Sequence, residues 1–225
     1  MQDQRAELDW RPGDVPVSRR FDDPYFSLSG GLAETRHVFL DGNGLAARLS
    51  DGFAVAELGF GTGLNMLACA ELWTSLGAPG TLHLTSFEAY PMRANDMVRA
   101  LAVFPLLAAR AERLIEGWRT EAAQIDLGDG VCLEVIIGDA RETLPRWQGR
   151  ADAWFLDGFS PARNPELWEP SLIAAVAAHT APGGTAATYS AAGHVRRALA
   201  EAGFEVERAP GHARKRHMTR ARMPR

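Results

Sequence analysis

The sequence predicts an α/β fold with a mostly parallel sheet and helices on both faces. Three observations carry that expectation. An apolar run, Phe53-Ala54-Val55-Ala56, enters the stretch Glu57-Leu58-Gly59-Phe60-Gly61-Thr62-Gly63, and an apolar helical pattern from Leu64 to Leu76 leaves it. From residue 53 onward, strand and helix patterns alternate, as repeated βα units do. Acids close four consecutive strands: Glu57, Glu88, Asp139 and Asp157.

Each element has its own signal. Residues 1–20 are polar with interspersed Pro and Gly, which predicts a loosely held arm. Arg36-His37-Val38-Phe39-Leu40 and Leu45-Ala46-Ala47-Arg48-Leu49 flank Asp41-Gly42-Asn43-Gly44, so turn chemistry predicts a hairpin over 36–49. Strands are expected at 53–58, 82–87, 131–137, 152–156, 184–189, 203–208 and near 216–222. Helical patterns fill 64–76, 92–103, 106–117, 140–147, 166–179 and 193–202. Pro91 and Pro165 stand where helices should begin and Gly203 where one should end. Asp129-Gly130 predicts an extra hairpin before the third strand, and Gly183-Gly184 opens the fifth. The short link Pro210-Gly211-His212 makes the last two strands antiparallel. The expected division is an N-terminal extension with a hairpin, 1–50, and a main domain, 51–225, forming one compact unit.

Composition narrows the class. A chain of 225 residues buries a real core in one large domain or two small ones. Cys69 and Cys132 sit in apolar stretches and suggest neither a disulfide framework nor a metal motif, so no metal is expected and a reduced cytoplasmic compartment is the simplest reading. The N-terminus lacks a signal-peptide pattern, and no apolar run is long enough to span a bilayer. The net charge of −4 conceals a gradient: Gly193 to Arg225 holds nine Arg/Lys and three Glu, a balance of +6, which leaves −10 for residues 1–192. A basic end on an acidic body fits a polyanionic partner such as nucleic acid, or simply a solvated terminus.

The glycine turn suits a nucleotide-like ligand, because glycines permit a tight turn and close backbone approach. Glu57 at its mouth would repel a pyrophosphate but suits a cation, and S-adenosylmethionine carries a sulfonium and an ammonium. Leu64 also stands where a dinucleotide loop wants a small residue. Gly59, Gly61 and Gly63 with Glu57 therefore read as motif one of a class I, Rossmann-like S-adenosylmethionine-dependent methyltransferase. Glu88, 25 residues past Gly63, lies near the offset of an acid that accepts from ribose hydroxyls. Asp139, in Ile137-Gly138-Asp139-Ala140, is placed to accept from the adenine amino group. Asp157 stands where the methyl group would leave, beside Phe159, an aromatic able to hold a planar acceptor. Any of these acids can instead cap the helix that follows it.

Several segments together resemble the methyltransferase (MnmC N-terminal-like) domain of the tRNA 5-methylaminomethyl-2-thiouridine biosynthesis family. They are Phe21-Asp22-Asp23-Pro24-Tyr25-Phe26-Ser27, Gly31-Leu32-Ala33-Glu34-Thr35-Arg36, Gly59 to Asn65, Ser86-Phe87-Glu88, Trp154 to Pro165, Gly193-His194-Val195-Arg196-Arg197, and Arg214-Lys215-Arg216. The resemblance runs from about Val17 to Met218. It implies a seven-stranded sheet with a reversed last strand, and methyl transfer from S-adenosylmethionine to the amine of a 5-aminomethyl-(2-thio)uridine at the tRNA wobble position. It adds Asn65 and Ala140 to the cofactor set, in which Asp157 also counts. It implies that Asp157 orients the amine, that Phe159 and Trp168 stack on the flipped-out base, and that Tyr25, Glu34 and Arg36 cover the cofactor or shape the acceptor pocket. Arg163, Arg196, Arg197, Arg214, Lys215 and Arg216 are then expected to meet phosphates of the anticodon stem-loop. The family's long form continues into a flavin-dependent oxidase domain, so a chain ending at Arg225 is expected to resemble the stand-alone form, with a separate enzyme supplying its aminomethyl substrate. Trp168 can equally be core, and the three N-terminal residues can equally be packing.

Competing readings are an N-methyltransferase of a protein or small molecule, an aminopropyl transferase using a decarboxylated relative of the cofactor, and a non-catalytic RNA-binding relative. A nicotinamide oxidoreductase is disfavoured by Glu57 and Leu64.

Overall fold

The computed structural model describes residues 4–27, 30–213 and 215–225. The chain opens with β1 (Leu8–Arg11), β2 (Val15–Ser18) and the short β3 (Asp23–Pro24), paired antiparallel in that order. Residues 4–20 are therefore not a loose arm. Trp10 faces Pro16 across the hairpin, and Val15 and Val17 are buried. Polar composition concealed this, because only alternate side chains of β1 are covered.

The hairpin of the N-terminal extension lies here and not at 36–49. That later stretch is helical: α1 (Gly31–Thr35) runs into a π-helical segment, Arg36–Asp41, and then a 3-10 turn, Leu45–Ala47. Val38, Phe39, Leu40 and Leu45 are buried. At about 1.5–3 kcal/mol for each large apolar side chain, that burial outweighs a local turn preference. The Gly-rich link serves the helix ends instead. Gly44 takes the left-handed φ of +61° ahead of the 3-10 turn, and buried Asn43 donates to the Phe39 and Trp154 carbonyls.

The main sheet follows. Its strands are β4 (Phe53–Leu58), β5 (Leu82–Glu88), β6 (Ile125–Gly128), β7 (Val131–Ile137), β8 (Ala151–Leu156), β9 (Thr180–Thr188), β10 (Glu205–Pro210) and β11 (His217–Arg222). Their spatial order is β10-β11-β9-β8-β4-β5-β7-β6. Neighbours from β7 through β9 are parallel, β11 is antiparallel to both of its neighbours, and β6 is antiparallel to β7. The sheet thus has eight strands rather than seven. The eighth is the edge strand of the hairpin that Asp129-Gly130 predicted; Asp129 and Gly130 take positive φ of 53° and 76°.

The helices are α2 (Leu64–Ser75), α3 (Ala94–Leu101), α4 (Ala108–Arg119), α5 (Ala140–Thr143), α6 (Pro170–Ala178) and α7 (Gly193–Glu201). Prolines divide two of the predicted helices. Pro145 turns the end of α5 into a 3-10 segment, Leu144–Arg146, and Pro170 separates a 3-10 turn, Pro165–Trp168, from α6. Pro91 lies three residues before α3 and does not open it, whereas Gly203, at φ +101°, follows the end of α7 as expected. The fifth strand begins at Thr180, so Gly183-Gly184 falls inside it, near a register shift against β8.

Apolar clusters cover both faces of the sheet. One gathers α2, α3 and α4 with β4 and β5 and also takes in Val15, Phe26 and Val38–Leu40, so the N-terminal extension shares the main core. The other packs α6 and α7 on Trp154, Leu156 and Ala186. Among the described residues no helix is long and apolar enough to cross a membrane.

Candidate functional site

A cavity of about 540 Å³ lies at the carboxyl ends of β4, β5 and β8, where open α/β sheets place ligands. The turn from β4 to α2 forms one wall. Gly59, Gly61 and Gly63 take φ of +88°, +55° and +82°, conformations that side chains resist. A Cβ on Gly59 would lie 2.0 Å from the Asp157 carbonyl oxygen, and one on Gly61 would press on the Tyr25 ring at 3.0 Å. The loop thus runs as bare backbone between β8 and the N-terminal extension.

Glu88 lies in the cavity beside this loop. Its carboxylate accepts the Gly61 N–H at 2.9 Å and the Tyr90 N–H at 2.7 Å. Burial raises its pKa, and those backbone donors oppose the rise. Both carboxylate oxygens retain lone pairs for a ligand hydroxyl.

Asp157 occupies the cavity floor at the end of β8. It accepts from Asn65 Nδ2 at 2.6 Å, and the same amide donates to Glu57 at 2.9 Å. Thr35 donates to Asn65 Oδ1 at 2.7 Å, and Ser86 donates to Glu57 at 2.7 Å. Asn65 is therefore held by Thr35 and Glu57, and it holds Asp157. Glu57 itself is fully buried beneath the loop and does not line the cavity. The expectation that it grips a cation directly is corrected. On β4 it shares the inward side of Val55 and Phe53, and its work is to fix Asn65. Burial holds its carboxyl well above the usual range, with the Asp157 charge adding to the effect.

Burial also pushes the Asp157 carboxyl up to about 7; Asn65 and the Lys215 charge pull it down, while Glu34 and Asp23 push it further up. A raised native pKa means that the folded state holds its proton more tightly than the unfolded chain does. That contribution is complete below the ordinary aspartate value of 3.8 and is lost as pH climbs to about 7. Asp157→Asn should therefore gain melting temperature over wild type between about pH 5 and about pH 7 in thermal scans of cofactor-free protein. A pH-independent difference between the two would contradict this.

Asp139 lines the cavity but caps α5, accepting the Arg141 N–H at 2.9 Å, and it pairs with the Arg141 guanidinium at 2.6 Å. That hydrogen-bonded pairing lowers its pKa. The cap reading and the cavity position hold together here. Ala140 is buried beside it on the cavity wall.

The half of the cavity that holds Phe159 and Glu34 is aromatic and acidic. Phe159 stacks on Phe21 with ring centroids 4.7 Å apart and meets Tyr25 edge-on at 5.0 Å. Glu34 pairs with Lys215 at 2.8 Å, and Lys215 Nζ lies 4.0 Å from the centroid of the Tyr189 ring. Lys215 thus lines the rim of the cavity with its side chain 46% exposed, its ammonium paired with Glu34. Phe21, Asp23, Thr35 and Tyr189 also belong to this region, and Ser86 acts from beneath it through Glu57. Asp23 accepts the Ser160 N–H at 2.9 Å, and Tyr189 donates to the Gly158 carbonyl at 2.7 Å. Phe21, Asp23, Thr35 and Ser86 lie inside the segments that carry the family resemblance, which was the available signal; for Tyr189 there was none.

Other expected site residues fall elsewhere. Trp168 is buried in the second core cluster and donates to the Phe159 carbonyl at 3.0 Å. It supports the Phe159 segment and cannot stack on a base. Trp168→Phe should cost about 1–2 kcal/mol in urea unfolding and leave cofactor affinity unchanged; unchanged stability with lost acceptor binding would restore the stacking role. Arg36 is exposed on the π-helical segment, away from the cavity. Arg163 pairs with Asp22 at 2.7 Å, and Arg197 and Arg216 are exposed. Arg196 has a buried Nε with no hydrogen-bond partner among the described residues. Arg214 lies outside the described residues.

A sheet of this order with a glycine loop after its central strand and an acid ending the next is the class I methyltransferase architecture. A family model described as S-adenosyl-L-methionine-dependent methyltransferase matches residues 106–224, more than half of the chain, and the chain belongs to that family. Its cofactor is S-adenosylmethionine. The tRNA 5-methylaminomethyl-2-thiouridine biosynthesis bifunctional protein MnmC of Stutzerimonas stutzeri is 44% identical over 98% of this chain and 35% of that protein. The protein of the same description from Caulobacter sp. (strain K31) is 46% identical over 97% and 38%. The chain spans little more than a third of the length of these relatives. The crystal structure of MNMC2 from Aquifex aeolicus superposes with a TM-score of 0.76 at 24% identity, covering 100% of this chain and 73% of that one.

Proposed function

We propose that this protein methylates the primary amine of a 5-aminomethyl-(2-thio)uridine at the tRNA wobble position, giving the 5-methylaminomethyl product. The observation that carries this reading is the acceptor half of the cavity, where flat aromatic surface (Phe21, Tyr25, Phe159) adjoins carboxylates suited to an amine (Asp157, Glu34, Asp23). The relatives described above, named for this modification, add to it. The exposed Arg197 and Arg216 on an otherwise acidic chain fit a polyanionic partner, the anticodon stem-loop.

The cavity fits the cofactor. The bare backbone of Gly59, Gly61 and Gly63 admits close approach, Glu88 offers acceptors for two ribose hydroxyls, Asp139 and Ala140 would border the adenine, and Asn65 with Asp157 would border the amino-acid end. When bound, the cofactor supplies a methyl group activated by its sulfonium. The remaining task of the chain's own residues is alignment and proton handling. A primary alkylamine has a pKa of roughly 10 and enters mostly protonated. Asp157, buried and fixed by Asn65, orients the amine lone pair and accepts hydrogen bonding from the departing proton. Phe159 and Tyr25 exclude water and hold the base. A cytoplasmic location and a separate enzyme that supplies the aminomethyl-uridine complete the reading.

The test is methyl transfer to bulk tRNA from a strain lacking the modification, followed by mass spectrometry of the nucleosides. Conversion of the aminomethyl to the methylaminomethyl nucleoside is expected. Cofactor turnover on small amines with none on tRNA would overturn the proposal.

A further inference from the structure

Among 225 residues there is one lysine against 23 arginines, and that lysine, Lys215, faces the acceptor half of the cavity. Four acids surround this region from separate elements. Asp23 comes from β3, Glu34 from α1, Asp157 from the end of β8, and Glu57 lies beneath Asp157 at the end of β4. Tyr189, past β9, presents its ring face to Lys215, while its hydroxyl is taken by the Gly158 carbonyl. In the turn between β10 and β11 that carries Lys215, the His212 ring lies 5.8 Å from that of His37. The turn is built to carry the lysine: Gly211 N–H donates to the Arg216 carbonyl, Lys215 N–H donates to the His212 carbonyl, and a Cβ on Gly211 would lie 2.2 Å from the Lys215 carbonyl oxygen.

We propose that Lys215 is a positioning residue whose ammonium, held by Glu34 and the Tyr189 ring face, offsets the surrounding carboxylates and so keeps the acceptor amine neutral at Asp157. The physical problem is specific. An amine among carboxylates is stabilised as ammonium, and an ammonium has no lone pair to offer. A fixed cation nearby disfavours a second positive charge, and desolvation acts in the same direction. Lysine serves here as a compact point charge that one carboxylate can hold, whereas an arginine is a broad planar fork.

This inference rests on the acceptor being an alkylamine, as proposed above. The experiment uses an anticodon stem-loop RNA carrying 5-aminomethyluridine, with RNA and cofactor saturating, so that the single-turnover rate against pH reports protonation in the bound complex. Lys215→Met should move the rising limb to higher pH by about one unit, slowing transfer about tenfold near neutrality and recovering at alkaline pH. Lys215→Arg should restore most of the charge effect, and Glu34→Gln should move the limb to lower pH. An unshifted limb in Lys215→Met, whether with wild-type rates or with a uniform loss at every pH, overturns the proposal. If the wild-type protein fails to methylate this RNA, the acceptor assignment itself falls; a wild-type protein that methylates it while Lys215→Met shows an unmoved limb overturns only the role of the lysine.

Discussion

Asp157→Ala is expected to lower the single-turnover rate of methyl transfer by about a hundredfold or more while leaving cofactor affinity within about threefold of wild type. The expectation follows from how the carboxylate is held. Asn65 donates to it at 2.6 Å, and Asn65 is fixed in turn by Glu57 and Thr35. A side chain restrained at that depth costs little further entropy when an amine docks on it. Most contacts assigned to the cofactor, namely Glu88, Asp139 and the glycine backbone, do not pass through the Asp157 side chain, which borders only the amino-acid end. Calorimetry with S-adenosylhomocysteine and a rapid-quench rate separate the two quantities. Equal losses in rate and affinity would make Asp157 a cofactor ligand and not the group that orients the acceptor. Asn65→Ala should reproduce part of the rate loss, because it frees the carboxylate without removing it.

The parts of this fold that local chemistry dictates were legible in the sequence. The boundaries of β4 and β7 emerge as expected, and so do the reversed β11 and the hairpin at Asp129-Gly130. The Gly59–Gly63 loop was legible for the same reason: a run of glycines between a strand and a helix has few conformations to choose from. What was not legible depends on distant partners. Glu57 is two residues before the loop in sequence, yet whether it faces the ligand or lies under it is decided by the side of β4 it occupies and by Ser86 on the neighbouring strand. Trp168 looked equally suited to base and core until the second apolar cluster claimed it. The Asp41–Gly44 link carries good turn chemistry, but burial of Phe39 against Phe155 on β8, with ring centroids 5.4 Å apart, settles that stretch as helix. Lys215 lies far from Glu34 in sequence, so their pairing required the closed sheet.

Gly59→Ala should be a strongly damaging single-methyl substitution, and one whose damage reaches the cavity. At φ +88° an alanine is strained by about 1–2 kcal/mol, and its Cβ would sit 2.0 Å from the Asp157 carbonyl oxygen, a contact no rotamer can relieve because both partners are backbone. The end of β8 or the loop must therefore move, at a further cost of about 1–3 kcal/mol. Either movement is transmitted to function. The Gly59 N–H is tied to the Phe87 carbonyl and the Asp157 N–H to the Leu58 carbonyl, so loop, β5 and β8 shift together. Urea unfolding should show a loss of about 2–5 kcal/mol, and the folded fraction should lose cofactor affinity and turnover together, unlike Asp157→Ala. Gly77 provides the control. It has a positive φ of 59° but nothing within 4 Å of an added Cβ, so Gly77→Ala should cost only the backbone strain and leave binding intact. Equal destabilisation of the two variants would mean that backbone strain alone, and not the close passage of the loop against β8, sets the requirement for glycine at position 59.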